Sequence, residues 1–219
     1  MGFDKMEIKT MVRPLEYEEK GCIRAQIKDD LYPGIKIKSV TPKYYYHKKY
    51  HEENDYSKKI LDTKITNKDE SVYFIPFVDD CLDKFEDDLH FSSVDLISII
   101  PNSVNKYYPN IIKIAKHVEK KLKKPSRSLF NRINSSKSVS RARLSRYKYL
   151  SGNFPICKGV DVDGKRVLLI DDIRTSGITA LECAKVLLES GAKEVILFAL
   201  GTNSSRKPTK KRGEIYGSG

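Results

Sequence analysis

Nine consecutive residues carry the densest chemistry in this sequence: Asp171, Asp172, Ile173, Arg174, Thr175, Ser176, Gly177, Ile178 and Thr179. Two adjacent carboxylates repel each other, and successive strand residues face opposite ways. Keeping both at a strand end makes sense where each meets hydroxyl donors, a cation or Arg174. Two hydroxyls, a glycine and a third hydroxyl follow at once and lead into a helix start. That order makes a phosphate cradle: Gly177 lets the backbone turn tightly, free amides point outward, and the helix end is electropositive. The helix dipole contributes about 0.3–1 kcal/mol to such a site. Charge-assisted hydrogen bonds, about 1.5–3 kcal/mol each, outweigh it. The ligand this asks for has vicinal hydroxyls next to a phosphate, as in ribose 5-phosphate. Neither G-x-x-x-x-G-K-[ST] nor G-x-G-x-x-G occurs, which disfavours a nucleoside triphosphatase or a dinucleotide enzyme.

The elements that must hold these residues are legible around them. Arg166–Ile170 reads as a buried strand, which would deliver the two acids to the carboxyl edge of a sheet, where open α/β folds bind ligands. Residues 179–189 place Leu181, Ala184, Leu187 and Leu188 at helical spacing, with Gly191 as the C-terminal cap. A further strand is expected over 194–200, giving a right-handed parallel crossover. Upstream, Val94–Ile100 is a short apolar run ended by Pro101, as in a buried parallel strand. A helix is expected from 110 to 124, stopped by Pro125. Residues 125–153 are basic and serine-rich without a convincing period, and so read as irregular. Nearer the start, a strand is expected at 35–40 and helices at 56–66 and 71–88, although Val72–Phe77 also fits a strand. The acidic run Asp79, Asp80, Asp83, Glu86, Asp87 and Asp88 reads as the solvated face of a helix whose apolar partners are Val78, Cys81, Leu82 and Phe85.

Charge is unevenly placed along the 219 residues. Residues 101–148 hold 14 Lys/Arg against one Asp/Glu and account for the basic balance of the chain, +12 overall. A patch of that sign implies an anionic partner, polyphosphate or nucleic acid, or else a solvated lysine-rich helix face. Lysines interleaved with Tyr44, Tyr45, Tyr46 and Tyr50 could stack on bases, but read better as half-buried on a domain edge. Cys22, Cys81, Cys157 and Cys183 form no C-x-x-C pair, so free thiols and no structural zinc are expected. His47 and His51 read as two surface histidines. No stretch is long and apolar enough to span a bilayer, and Met1–Glu7 lacks the apolar core of a secretory signal, so a cytoplasmic protein without membrane contact is expected.

Val167–Thr179, an apolar run followed by two acids and a Thr-Ser-Gly-x-Thr loop, resembles the phosphoribosyl-pyrophosphate (PRPP) motif of type I phosphoribosyltransferases. Ser140–Pro155 and Tyr56–Lys64 are similar to segments of the ComF branch, which is associated with DNA uptake. The resemblance implies an α/β fold, a parallel sheet flanked by helices, over residues 56–203, with an N-terminal appendage at 1–55 and a basic tail at 204–219. It implies Asp171 and Asp172 on the ribose hydroxyls, and Arg174, Thr175, Ser176, Gly177, Ile178 and Thr179 at the 5-phosphate. Asn102, Ser103 and Lys106 would occupy the pyrophosphate loop, and Arg141, Arg143 and Arg146 a loop over the site. The implied activity is a Mg²⁺-dependent transfer at ribose C1 with release of pyrophosphate, the metal arriving through PRPP rather than on protein ligands. The stretch after Pro101 departs from the family's arginine-rich pattern, with only Lys106 charged, and no cysteine-based zinc element is present. A non-catalytic PRPP sensor, or an accessory protein that binds single-stranded nucleic acid or DNA-processing proteins through 101–148, is the rival reading. A homodimer is compatible with either.

Overall fold

A computed structural model of the chain describes residues 15–19, 21–46, 48–66, 68–101, 108–134 and 143–204. Its centre is formed by β5 (Leu96–Ile99), β6 (Arg166–Arg174) and β7 (Glu194–Asn203), all parallel. Val167, Leu168, Leu169 and Ile170 are all fully buried, and the pleat divides them. Leu168 and Ile170 join a cluster with Phe74, Val78, Ile114 and Val118, whereas Val167 and Leu169 join one with Leu181, Ala184 and Leu187. A strand whose alternate residues both enter apolar clusters must be covered on both faces, and so this sheet is.

One cover consists of α1 (Asp55–Thr66), α2 (Ser71–Lys84), the short α3 (Glu86–Leu89) and α4 (Pro109–Leu122). The other is α6 (Ile178–Glu189) with α5 (Arg143–Leu150) beside it. The strands β6 and β7 joined through α6 are parallel, and Gly191, with φ of 95°, follows the end of α6. Residues 71–84 are helical rather than extended, with Phe74, Val78, Cys81 and Leu82 buried along one face. The acids of α2 lie on its solvated face, as expected, and also meet basic groups there. Asp79 lies 2.7 Å from His117 Nε2, and Asp83 pairs with Lys121 at 2.8 Å, both on α4.

Three further findings depart from the sequence reading. The strand carrying the acids does not stop at Ile170 but continues to Arg174, paired with Thr202. A helix, α5, occupies part of the stretch read as irregular; its residues are mostly Arg, Lys, Ser and Tyr, and across 144–150 only Leu150 is buried, so no apolar period announces it. His51 is buried against the Tyr45 ring, with its Nε2 3.0 Å from the Tyr46 carbonyl, because the segment after β4 folds back onto the sheet.

Residues 15–45, within the segment read as an appendage, build β1 (Leu15–Glu19), β2 (Cys22–Lys28), β3 (Lys36–Thr41) and β4 (Lys43–Tyr45). These strands extend the same sheet, in the order β1-β2-β3-β7-β6-β5, with β4 also pairing β7. β1–β2 and β2–β3 are antiparallel, so the sheet is mixed. The four cysteines are unpaired thiols. No helix among the described residues is long and apolar enough to cross a membrane.

Candidate ribose-phosphate site

The site is built where β6 ends. Asp172 donates its amide to Asp171 Oδ1 at 2.9 Å, and the Ile173 amide donates to Asp172 Oδ1 at 2.5 Å. Each carboxylate therefore keeps its second oxygen for other partners. The two side chains diverge, as the strand period requires. Asp171 lines a small cleft with Arg146, Arg174, Thr175, Gly177 and Thr179. Asp172 instead reaches α1, where Lys64 Nζ lies 2.8 Å from its Oδ2.

Burial and the neighbouring Asp172 carboxylate push the Asp171 carboxyl above the usual range. Burial alone would lower the Lys64 ammonium, but the Asp172 and Asp171 carboxylates outweigh it and hold that ammonium above its ordinary value. The Asp171 shift has a consequence for stability. A carboxyl raised in the folded state contributes most below its unfolded value, about 3.9, and loses that contribution as pH climbs through the folded value. Asp171→Asn, which keeps an acceptor for the Asp172 amide, should therefore stabilise the ligand-free protein at pH 7. The expected gain is about 1–2 kcal/mol once partial exposure is allowed for. Thermal unfolding from pH 4 to 8 should show the gain vanish toward pH 4; a gain independent of pH would contradict this electrostatic origin.

The loop after β6 has the form expected of a phosphate cradle. Thr175 and Ser176 are exposed, while Gly177 and Ile178 are buried. Gly177 sits at the N-terminal end of α6 with φ of 79° and offers no side-chain cap of its own. The Ile178 amide makes a long, 3.5 Å hydrogen bond to the Ser176 hydroxyl, and the amides beyond it in the first turn are left for a ligand. Arg146 of α5 donates from Nη2 to Thr179 Oγ1 at 3.2 Å and so joins the loop. Arg174 is nearly fully buried at the strand end, with only 2% of its surface exposed, and it too lines the cleft.

Of the residues expected at the pyrophosphate side, Asn102, Ser103, Lys106 and Arg141 lie outside the described residues, and Arg143 is the first residue of α5. Two participants were not expected. Lys64 pairs with Asp172, and Ile27 of β2 stands against Gly177, where a Cβ would meet its Cγ2 at 2.5 Å. Neither is signalled locally, since each reaches the site through a pairing far away in sequence. Elsewhere, a mostly apolar groove of about 280 Å³ runs between α4 and residues 126–128, lined by Ile99, Ile112 and Ala115. It holds neither of the acids.

A family model described as the phosphoribosyl transferase domain matches residues 115–216. The matched segment includes both acids, the 175–179 loop, α5 and α6, while Lys64 and Ile27 lie outside it. Ribose-phosphate pyrophosphokinase from Pyrococcus abyssi (strain GE5 / Orsay) is 50% identical over 40 residues, which are 18% of this chain and 14% of that protein. Phosphoribosylpyrophosphate synthetase from Mycobacterium smegmatis superposes with a TM-score of 0.34 at 20% identity, over 55% of this chain and 31% of that one. A hypoxanthine-guanine phosphoribosyltransferase from Bacillus anthracis superposes with a TM-score of 0.42 at 16% identity, over 67% of this chain and 79% of that one. The chain therefore spans well under two thirds of the first two proteins.

Proposed function

We propose that the chain binds PRPP and transfers its phosphoribosyl group from pyrophosphate to an acceptor. The observation that carries this reading is the juxtaposition of two divergent acids, Asp171 and Asp172, with the α6 helix start at Gly177 and the hydroxyls of Thr175, Ser176 and Thr179. In this reading the α6 amides and the Thr175, Ser176 and Thr179 hydroxyls take the 5-phosphate. Asp171 and Asp172 accept hydrogen bonds from the ribose 2- and 3-hydroxyls. The C1–oxygen bond to pyrophosphate breaks, the oxygen keeps the electron pair, and the acceptor atom bonds to C1 and gives up its proton. The fixed carboxylates lie beside the ring where positive charge develops, the kind of pre-placed field that lowers such a barrier.

Mg²⁺ bound to PRPP would supply charge neutralisation at the departing pyrophosphate. Among the described residues no cluster of three or more His, Cys, Asp or Glu is placed to hold a metal. Placement in the ComF branch, a role in DNA uptake, a cytoplasmic location and a homodimeric state are finer parts of this proposal, resting on the sequence alone.

Pyrophosphate release from PRPP and Mg²⁺ should be measured across purine and pyrimidine bases and simple amines. The transferase reading expects release that depends on one acceptor and matches its consumption. PRPP binding without pyrophosphate from any acceptor would favour a sensor instead. The single-stranded nucleic-acid alternative draws on Lys116, Lys120 and Lys123, which are exposed on and after α4. It is weakened by Lys113 and Lys121, whose charge is directed at Asp69, Asp79 and Asp83.

A further inference from the structure

Among the described residues, the acids and the phosphate loop leave one requirement unmet, a cation at the C1 end of the ribose. The stretch after Pro101 has Lys106 as its one charged residue, and Arg146 joins the loop at Thr179, the 5-phosphate end. Lys64 approaches the acid pair separately, from α1. Its Nζ lies 2.8 Å from Asp172 Oδ2 and 5.6 Å from the centre of the Tyr108 ring. Tyr108 immediately precedes α4 and closes the connection that leaves β5 at Pro101. The ammonium therefore stands between the ribose acids and the end of the segment that follows β5.

The approach is fixed by packing. Tyr56 Oη donates to the Leu200 carbonyl at 2.8 Å and is buried. One turn on, Ile60 lies against Gly201, where even a Cβ would meet Ile60 Cδ1 at 3.2 Å. Gly201 pairs directly with Ile173, the residue after Asp172. One turn further, Lys64 is set over Asp172 by the same helix face. Its side chain keeps 24% of its surface exposed, so the pair stays open to solvent and to a ligand.

We propose that Lys64 is the pyrophosphate-contacting cation of this site, held by Asp172 until the ligand arrives. When the ribose hydroxyls hydrogen-bond to Asp172, the ammonium keeps its charge and turns toward the anionic leaving group beside it. Lysine suits this task because it is a compact charge on a flexible stem with three rotatable donors. The inference rests on the PRPP reading above, but it concerns a residue outside the matched phosphoribosyl transferase region.

Calorimetry on the full chain with Mg²⁺ and two ligands, ribose 5-phosphate and PRPP, tests it. Wild type should bind PRPP more tightly than ribose 5-phosphate. Lys64→Gln should weaken PRPP by about 10- to 100-fold, as expected for one lost charge-assisted hydrogen bond. Ribose 5-phosphate should shift by no more than about threefold, within the range of a lost exposed ion pair. Lys64→Arg should recover most of the PRPP affinity. Equal losses for both ligands would reduce Lys64 to a support for Asp172, and no loss for PRPP would remove it from the site; either overturns the inference alone. A wild type that binds neither ligand overturns the PRPP reading together with it. If Lys64→Gln fails to fold, the wild-type protein with ¹³C-methylated lysines remains informative. The methyl signal absent from Lys64→Arg should move further with PRPP than with ribose 5-phosphate, and equal movement would count against the contact.

Discussion

Asp171→Asn combined with Asp172→Asn is expected to weaken ribose 5-phosphate and PRPP binding by at least about 100-fold while leaving the protein folded. Each acid would accept a charge-assisted hydrogen bond from a ribose hydroxyl, about 1.5–3 kcal/mol apiece. Losing both costs about 3–6 kcal/mol, and tenfold in affinity corresponds to about 1.4 kcal/mol. The fold should tolerate the change because the carboxylates are not used as structural anchors. They accept hydrogen bonds from the next amides in the chain, which asparagine oxygens can still accept. Ionising Asp171 is already disfavoured by burial and by its neighbour, so neutralising it relieves a cost. Lys64 loses its ion-pair partner, but α1 stays anchored through the buried Tyr56 hydroxyl on the Leu200 carbonyl. Calorimetry alongside thermal unfolding checks both halves of the expectation. Unchanged ribose 5-phosphate affinity in a folded double variant would show that the ribose is recognised elsewhere.

Local chemistry explains why the acids and the loop could be read from the sequence. A strand with apolar residues on both faces, two acids, hydroxyls, a glycine and a helix start are contiguous, so no tertiary information is needed to place them together. β7 and α6 follow by the same local rules, with burial at Leu181, Ala184 and Leu187 matching the helical period. What the sequence hides is whatever arrives from a distance. Ile23, Ala25 and Ile27 alternate as a strand should, yet nothing near them says that β3 will pair with β7 and bring Ile27 under the loop. Lys64 likewise looks like any lysine in the last turn of a helix until Tyr56 and Ile60 fix α1 on β7. α5 escapes because basic and tyrosine residues supply no apolar stripe; its Tyr147 packs edge-on against Tyr32, a contact between distant parts of the chain. The basic excess of 101–148 also reads differently in three dimensions, since part of it neutralises the acidic face of α2.

That distant packing makes Gly177 the most sensitive single position of the loop. Gly177→Ala should lower stability by about 2–5 kcal/mol and weaken ribose 5-phosphate binding at least tenfold. Two separate costs add. A φ of 79° lies in the left-handed region, where a Cβ costs about 1–2 kcal/mol. The new methyl would also stand 2.5 Å from Cγ2 of Ile27, a fully buried side chain with no room to yield, and overpacking of that kind costs about 1–3 kcal/mol. Relief of either strain moves the backbone that aims the first amides of α6, hence the affinity loss. Ile27→Ala separates the two costs. Alone it should destabilise by about 2–5 kcal/mol as a cavity mutation. In the Gly177→Ala background it should cost about 1–2 kcal/mol less, because the clash has gone. The left-handed strain remains in that double variant, so phosphate affinity should stay low even as stability recovers relative to additivity. Strictly additive stabilities would mean that Ile27 does not press on the loop, and full recovery of binding would mean that φ at Gly177 is not what aims the amides.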